Sequence, residues 1–190
     1  MKAEESTERI SSLVNELLDI SQMEVGKSIL SKQSVNIGEL IIDILRELEM
    51  EIKKRDLTVN MDIASDINLS IDKTKIREAL FNLVDNSVKY NREKGLVNIG
   101  GELVKHPIEK DKWFLKLTIE DQGIGLTPEE AQKAFNQYFE RGKEAEELYT
   151  TGRGIGLAVT KNIIQAHGGK VYAESAGRGK GSKFIVELPV

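Results

Sequence analysis

Three polar residues on one helical stripe give the first chemical lead in this sequence. In Glu78-Ala79-Leu80-Phe81-Asn82-Leu83-Val84-Asp85-Asn86-Ser87-Val88-Lys89-Tyr90, positions 82, 86 and 89 are spaced by four and three. At about 100° per residue, Asn82, Asn86 and Lys89 share one side, while Ile76, Leu80, Leu83 and Val84 share the other. Asparagine is a poor helix former, and a merely solvated face is better filled by Lys and Glu. Carboxamide oxygens are hard ligands suited to Mg2+, which takes one or two protein oxygens and completes its shell with phosphate and water. Lysine adds a point charge for phosphate. The stripe therefore fits a magnesium–phosphate ligand; an ordinary polar face is the alternative.

Two glycine-spaced runs lie downstream, Asp121-Gln122-Gly123-Ile124-Gly125-Leu126 and Gly152-Arg153-Gly154-Ile155-Gly156-Leu157. Trp113 to Glu120 alternates as a half-buried strand, so the first run follows a strand that ends at an aspartate. After the second run, Leu157, Val159, Ile163 and Ile164 fall at helical spacing. Glycine lets backbone approach a ligand closely, and a helix start offers N–H groups to phosphate. Between the runs, Gly142 to Thr151 is long and polar and reads as a mobile cover over a bound anion. The same glycines also suit plain turns. Neither run completes Gly-x-Gly-x-x-Gly, since Pro128 stands where a third glycine is needed, and no Gly-x-x-x-x-Gly-Lys-Ser/Thr occurs.

The elements that must position these residues form one ordinary domain with an appended piece. The chain has 190 residues, 39% hydrophobic and 31% charged. A net charge of −4 argues against a nucleic-acid partner held by general positive charge. Zero cysteine excludes disulfides and thiolate metal sites. No apolar run reaches membrane-spanning length, so direct membrane insertion is not expected.

Glu5 to Met23 reads as an amphipathic helix, with Ile10, Leu13, Leu17 and Ile20 in a three-four alternation. Glu24-Val25-Gly26-Lys27-Ser28 breaks it, and the remainder is complete without it. A segment 1–27 carrying this helix as a partner-binding element and a domain over 28–190 are therefore expected, a helix packed on its own domain being the alternative. In that domain a strand is predicted around Ile29 to Val35. A helix follows from Ile37 to Lys54, capped by Asn36 with Glu39 three residues on. Strands at Leu57–Ile63 and Ile67–Ile71 precede a helix from Lys73 to Asn91, capped by Asp72. Val97–Lys105 and Lys112–Glu120 form a hairpin around His106 to Asp111. Lys170–Ser175 and Ser182–Leu188 pair around Ala176 to Gly181. Interleaved helices and hairpin strands predict an α/β (α+β) two-layer sandwich, a mixed sheet with helices on one face.

These pieces resemble the ATP-binding catalytic domain of bacterial sensor histidine kinases. Asn82 to Tyr90 is similar to that family's asparagine box and Asp121 to Gly125 to its first glycine box. Phe135 to Arg141 is similar to its phenylalanine box, Gly152 to Leu157 to its second glycine box, and Gly179 to Phe184 to its last. The boxes come in the family's order, and the resemblance covers about Glu5 to Val190. The wider superfamily includes gyrase, a heat-shock chaperone and a mismatch-repair protein. It implies ATP and Mg2+ bound between helices and a flexible lid. Asn86 would supply an oxygen to Mg2+, with Asn82 and Lys89 near the phosphates. Tyr90 would flank the base or ribose. Asp121 would accept from the adenine amino group, with Gly123 and Gly125 close to the ring. Gly152, Gly154, Gly156 and Leu157 would line the phosphate end, and Ser182 would reach the adenine edge. Phe135, Tyr138 and Phe139 would anchor the lid, Phe135 by core packing alone.

Two departures matter. The family's basic residue directly after the aromatic pair is replaced by Glu140, with Arg141 next. Arg141 is then the candidate γ-phosphate contact and, with Lys89, the candidate catalytic residue; Lys143 is second choice. The phospho-acceptor histidine is also missing. His106 falls in a hairpin loop, and His167 precedes Gly168-Gly169 at a helix end, where a basic residue is ordinary. Glu5–Met23 resembles the second helix of the family's dimerisation hairpin. The resemblance implies a kinase that transfers phosphoryl to a histidine outside this sequence. Its partners would be the acceptor helix, a response regulator and a second copy in a full-length homodimer. A cytoplasmic setting is implied, with a parent that is membrane-anchored in many relatives. Superfamily ATP hydrolases carry a glutamate where this chain has Asn82, which argues against fast hydrolysis, with Asp85 the residual base. A nucleotide-binding, non-catalytic interaction module is the alternative.

Overall fold

The computed structural model describes residues 30–105, 111–136 and 155–190. The Glu5–Met23 helix, the 106–110 connector and the lid segment lie outside the described residues. In chain order come β1 (Lys32–Asn36), α1 (Ile37–Glu47), α2 (Glu49–Lys54), β2 (Thr58–Ile63), β3 (Asn68–Asp72) and α3 (Lys73–Lys89). Then follow β4 (Leu96–Lys105), β5 (Trp113–Asp121), α4 (Pro128–Lys133), α5 (Gly156–Ala166), β6 (Lys170–Glu174) and β7 (Lys183–Pro189).

Five strands form one mixed sheet in the order β2-β4-β5-β7-β6, with only β2 and β4 parallel. β1 and β3 make a separate antiparallel pair. The two-residue period of β5 sends Leu115, Leu117 and Ile119 into the core, beside Val97 and Ile99 of β4 and Val186 and Leu188 of β7. Ile41 and Ile44 of α1, Ile76, Leu80 and Leu83 of α3, and Ile163 and Ile164 of α5 close over them. Each such side chain contributes about 1.5–3 kcal/mol through burial. On the other sheet face Lys116, Thr118 and Glu120 alternate outward, and Glu120 meets Lys183 at 3.6 Å. The expected two-layer sandwich is therefore present.

The capping expectations hold: Asn36 accepts from Glu39 N at 3.0 Å, and Asp72 accepts from Lys75 N at 3.1 Å. The single helix expected over Ile37 to Lys54 is instead two. Leu48 sits at φ −88°, ψ 3° and closes α1 through its N–H to Ile44 O at 3.1 Å. Its side chain stays in the core, while α2 beyond it buries no residue and carries surface ion pairs such as Lys53–Glu49. The second long helix ends two residues early, at Lys89, with Tyr90 as its cap.

Candidate functional site

Residues from α3, the end of β5, the start of α5 and the β6–β7 loop converge. α3 places Asn82, Asn86 and Lys89 half-buried on one side, with Leu83, Val84, Ser87 and Val88 fully inside. The Asn82 amide donates to Gly156 O at 3.3 Å, which fixes the expected stripe against the first residue of α5. Thr160 bridges the same two helices, its Oγ1 lying 3.4 Å from Ala79 O of α3 and 2.8 Å from Gly156 O of its own helix. Among the described residues no side chain caps α5, so its first N–H groups are directed to whatever sits at that end. Leu157 is half-buried against the core.

Tyr90 joins the two halves of the site. Its N–H bonds Asn86 O at 2.9 Å, and its carbonyl accepts from Ile124 N at 3.1 Å. The Lys89 ammonium lies 5.5 Å from the centre of the Tyr90 ring, a cation–π contact. Arg55 seals the end of α3 by donating to the carbonyls of Lys89 and Asn91. Asp85, the residual candidate base, is half-buried. Burial raises its carboxyl, Lys89 opposes the rise and Glu51 adds to it.

Asp121 is the most constrained polar group here. It is 6% exposed, and Oδ1 accepts from Gly123 N at 2.8 Å and Ser182 N at 3.1 Å. Oδ2 has no partner among the described residues and remains an acceptor. Burial raises the carboxyl to about 6 despite the two amides that lower it, and Glu120 raises it further. Gly123 is needed for close approach: a Cβ there would stand 2.0 Å from Tyr90 O. Gly125 is needed for its backbone, at φ +67°.

Ser182 also joins the site through its main chain. Its backbone holds Asp121 on both sides, N–H to Oδ1 and carbonyl from Asp121 N at 2.9 Å. Phe135 packs as expected, edge-on to Phe184 with centroids 6.2 Å apart. Arg141, Lys143, Tyr138, Phe139, Gly152, Gly154 and His106 lie outside the described residues. His167 is buried with both ring nitrogens engaged: Nδ1 contacts Ile163 O at 2.8 Å, and Nε2 accepts from Asp72 N at 3.0 Å. Sequence reasoning missed Arg55, Ser175 and Arg178. A serine and an arginine within a glycine-spaced turn were the only trace of the last two.

A buried carboxylate with one free oxygen, beside a helix of carboxamides and an uncapped helix start, is an arrangement for a purine and its phosphates. Residues 71–190 match the family described as histidine kinase-, DNA gyrase B- and HSP90-like ATPase. The chain belongs to this family. It is an ATP-binding catalytic domain of the sensor histidine kinase kind. Sensor histidine kinase WalK of Bacillus subtilis is 29% identical over 189 residues, which cover 100% of this chain and 30% of WalK. The chain thus spans less than a third of that relative. Among solved structures, the Acinetobacter baumannii histidine kinase AdeS superposes with a TM-score of 0.73 at 26% identity, over 96% of this chain and 79% of AdeS. Histidine kinase ThkA, solved in complex with the response regulator TrrA, gives a TM-score of 0.69 at 26% identity, over 96% of this chain and 48% of ThkA. No helix among the described residues is long and apolar enough to cross a membrane.

Proposed function

We propose that this domain binds ATP with Mg2+ and passes the γ-phosphoryl group to a histidine supplied outside this sequence. The observation that carries this is the buried Asp121 carboxylate, braced on one oxygen and open on the other. It is an acceptor matched to the amino edge of adenine, as carboxylates match donor edges in base recognition generally. Gly123 and Gly125 bring backbone close to the ring, and Tyr90 flanks the base or ribose. Asn82, Lys89 and the start of α5 face the phosphates; Gly152, Gly154 and Arg141, outside the described residues, would serve the same end.

The residues present fit a magnesium ion. Asn86 is half-buried and its carboxamide has no partner among the described residues. No group of three His, Cys, Asp or Glu suited to a metal occurs among them, so a metal would be shared with phosphate. Asn86 would hold it. Bound Mg2+ would neutralise phosphate charge and draw electron density from the transferring group. Lys89 and Arg141 would set positive charge against the negative charge carried by the transferring phosphoryl group. The acceptor imidazole is itself the nucleophile, so no base is required of this chain. The engagement of both His167 nitrogens supports an acceptor elsewhere.

Residues 1–27 would be part of the dimerisation hairpin and 28–190 the catalytic domain of a homodimeric, cytoplasmic kinase module. A response regulator would take the phosphoryl group next, a reading supported by the ThkA–TrrA complex. The test is to add a separately produced acceptor-histidine hairpin and γ-labelled ATP. Label on a histidine, stable to base and lost in acid, is expected. Unimpaired nucleotide binding with no transfer would favour a non-catalytic module instead.

A further inference from the structure

The β6–β7 loop grips the purine-side loop one carbonyl at a time. Gly181 N donates to Gly123 O at 3.1 Å, and Gly179 N donates to Ile124 O at 2.7 Å. The next carbonyl, Gly125 O, is taken by a side chain: Arg178 Nη1 donates to it at 3.1 Å. The other guanidinium nitrogen, Nη2, pairs with Glu130 Oε1. Glu130 Oε2 in turn accepts from Thr127 N at 2.8 Å, while Glu130 N donates to Thr127 Oγ1 at 3.2 Å. Ser175 Oγ holds the middle, accepting from Leu126 N at 3.0 Å and donating to Gly181 O at 2.6 Å.

We infer that Arg178 is a positioning residue for base recognition: with Glu130 it fixes the Gly125 end of the purine loop and ties that loop to the first turn of α4. This rests on the reading of Asp121 to Gly125 as the purine site. The physical case is that every other bond in the grip is made by backbone or by a short hydroxyl. Arg178 alone reaches from one loop to both the Gly125 carbonyl and the α4 capping box. The pair is about 70% shielded, with side chains 29% and 28% exposed, so it is worth more than a surface ion pair. Gly125 sits at a backbone angle that is held only by its surroundings. Without the guanidinium the loop samples other conformations, and binding must reorder it.

This makes a prediction that a generic stability role does not. Arg178 acts on the base end, so its loss weakens ADP and ATP by the same factor and leaves their affinity ratio unchanged. Calorimetry with ADP and with ATP in excess magnesium, on Arg178→Ala and on the unaltered chain, reads this directly. A loss of about tenfold for both nucleotides is expected, the scale of one charge-assisted hydrogen bond. Faster amide exchange at Leu126 and Thr127 should accompany it, and Arg178→Lys should recover part of the affinity. Unchanged affinity in a folded Arg178→Ala protein overturns the inference. So does a loss that grows with the number of phosphates. If the alanine variant does not fold, Arg178→Lys and Glu130→Gln are measured instead, and wild-type affinity in both overturns it equally. Asp121→Asn is the control that separates failures. If it abolishes binding while Arg178→Ala does nothing, only this inference falls; if the unaltered chain binds neither nucleotide, the functional reading falls too.

Discussion

The two ends of the site are built in opposite ways. At the purine end, Asp121 Oδ1 is doubly bonded, and the carbonyls of Gly123, Ile124 and Gly125 are each taken by the facing loop. Little there can move. At the phosphate end, Asn86 has no side-chain partner among the described residues, α5 starts uncapped, and Asn82 is held by a single bond of 3.3 Å. Buried polar groups are normally satisfied by protein. A half-buried set left open is therefore a set completed by ligand. On the proposed reading, base recognition is prebuilt, whereas phosphate and metal recognition is finished by the nucleotide.

The largest effect should come from breaking the open end. Asn86→Ala should lower phosphoryl transfer about 100-fold or more, the scale of losing one preorganised electrostatic contact. Its melting temperature should stay near that of the unaltered chain, because the carboxamide bonds nothing that the fold needs. A large fall in melting temperature would show that the phosphate end is structural as well.

Asp121→Asn comes next, with nucleotide affinity expected to drop by about 10- to 100-fold, the worth of a hydrogen bond to a charged group. The carboxyl also sets a pH dependence of two opposite signs. On the proposed reading adenine needs the ionised form, so affinity should be full well above about pH 6 and decline as pH falls through that value. Stability runs the other way. The folded carboxyl is raised from 3.8 to about 6, so the native state holds more protons than the unfolded one between those values. Asp121 therefore makes the ligand-free fold more stable as pH falls from about 6 towards 4. The difference between unaltered and Asp121→Asn proteins, by calorimetry for binding and urea for stability, isolates both trends. Parallel pH profiles would contradict the assignment.

Gly123→Ala sharpens the rigid end. A Cβ 2.0 Å from Tyr90 O cannot be absorbed by a flexible side chain. A loss of about 1–3 kcal/mol or more in urea unfolding is expected, on the scale of overpacking. The smallest effect belongs to the solvated sheet face. Lys183→Ala removes a 3.6 Å pair with Glu120 and should change stability by under about 0.5 kcal/mol.

How much of this was legible in the sequence follows from the same contrast. The α3 stripe and the strand ending at Asp121 were readable because periodicity of 3.6 and 2 reports which side a residue faces. The open phosphate end was readable because its side chains act singly. The break at Leu48 was not: the apolar spacing continues through it, and no glycine or proline marks it. Nor was the grip on the purine loop. It is made mostly of backbone groups 50 to 60 residues apart, and backbone bonds leave no residue type behind. Ser182 shows this well, since its main chain braces Asp121 while only its hydroxyl was considered. His167 was placed correctly at a helix end, but its bond to Asp72 N joins segments that no local pattern connects.

The central claim is best tested by titrating ADP, with and without magnesium, into the unaltered chain, Asp121→Asn and Asn86→Ala. The account predicts that Asp121→Asn weakens ADP equally in both conditions, and that Asn86→Ala removes only the increment due to magnesium. Equal magnesium dependence in Asn86→Ala and the unaltered chain, or undiminished binding by Asp121→Asn, would contradict it.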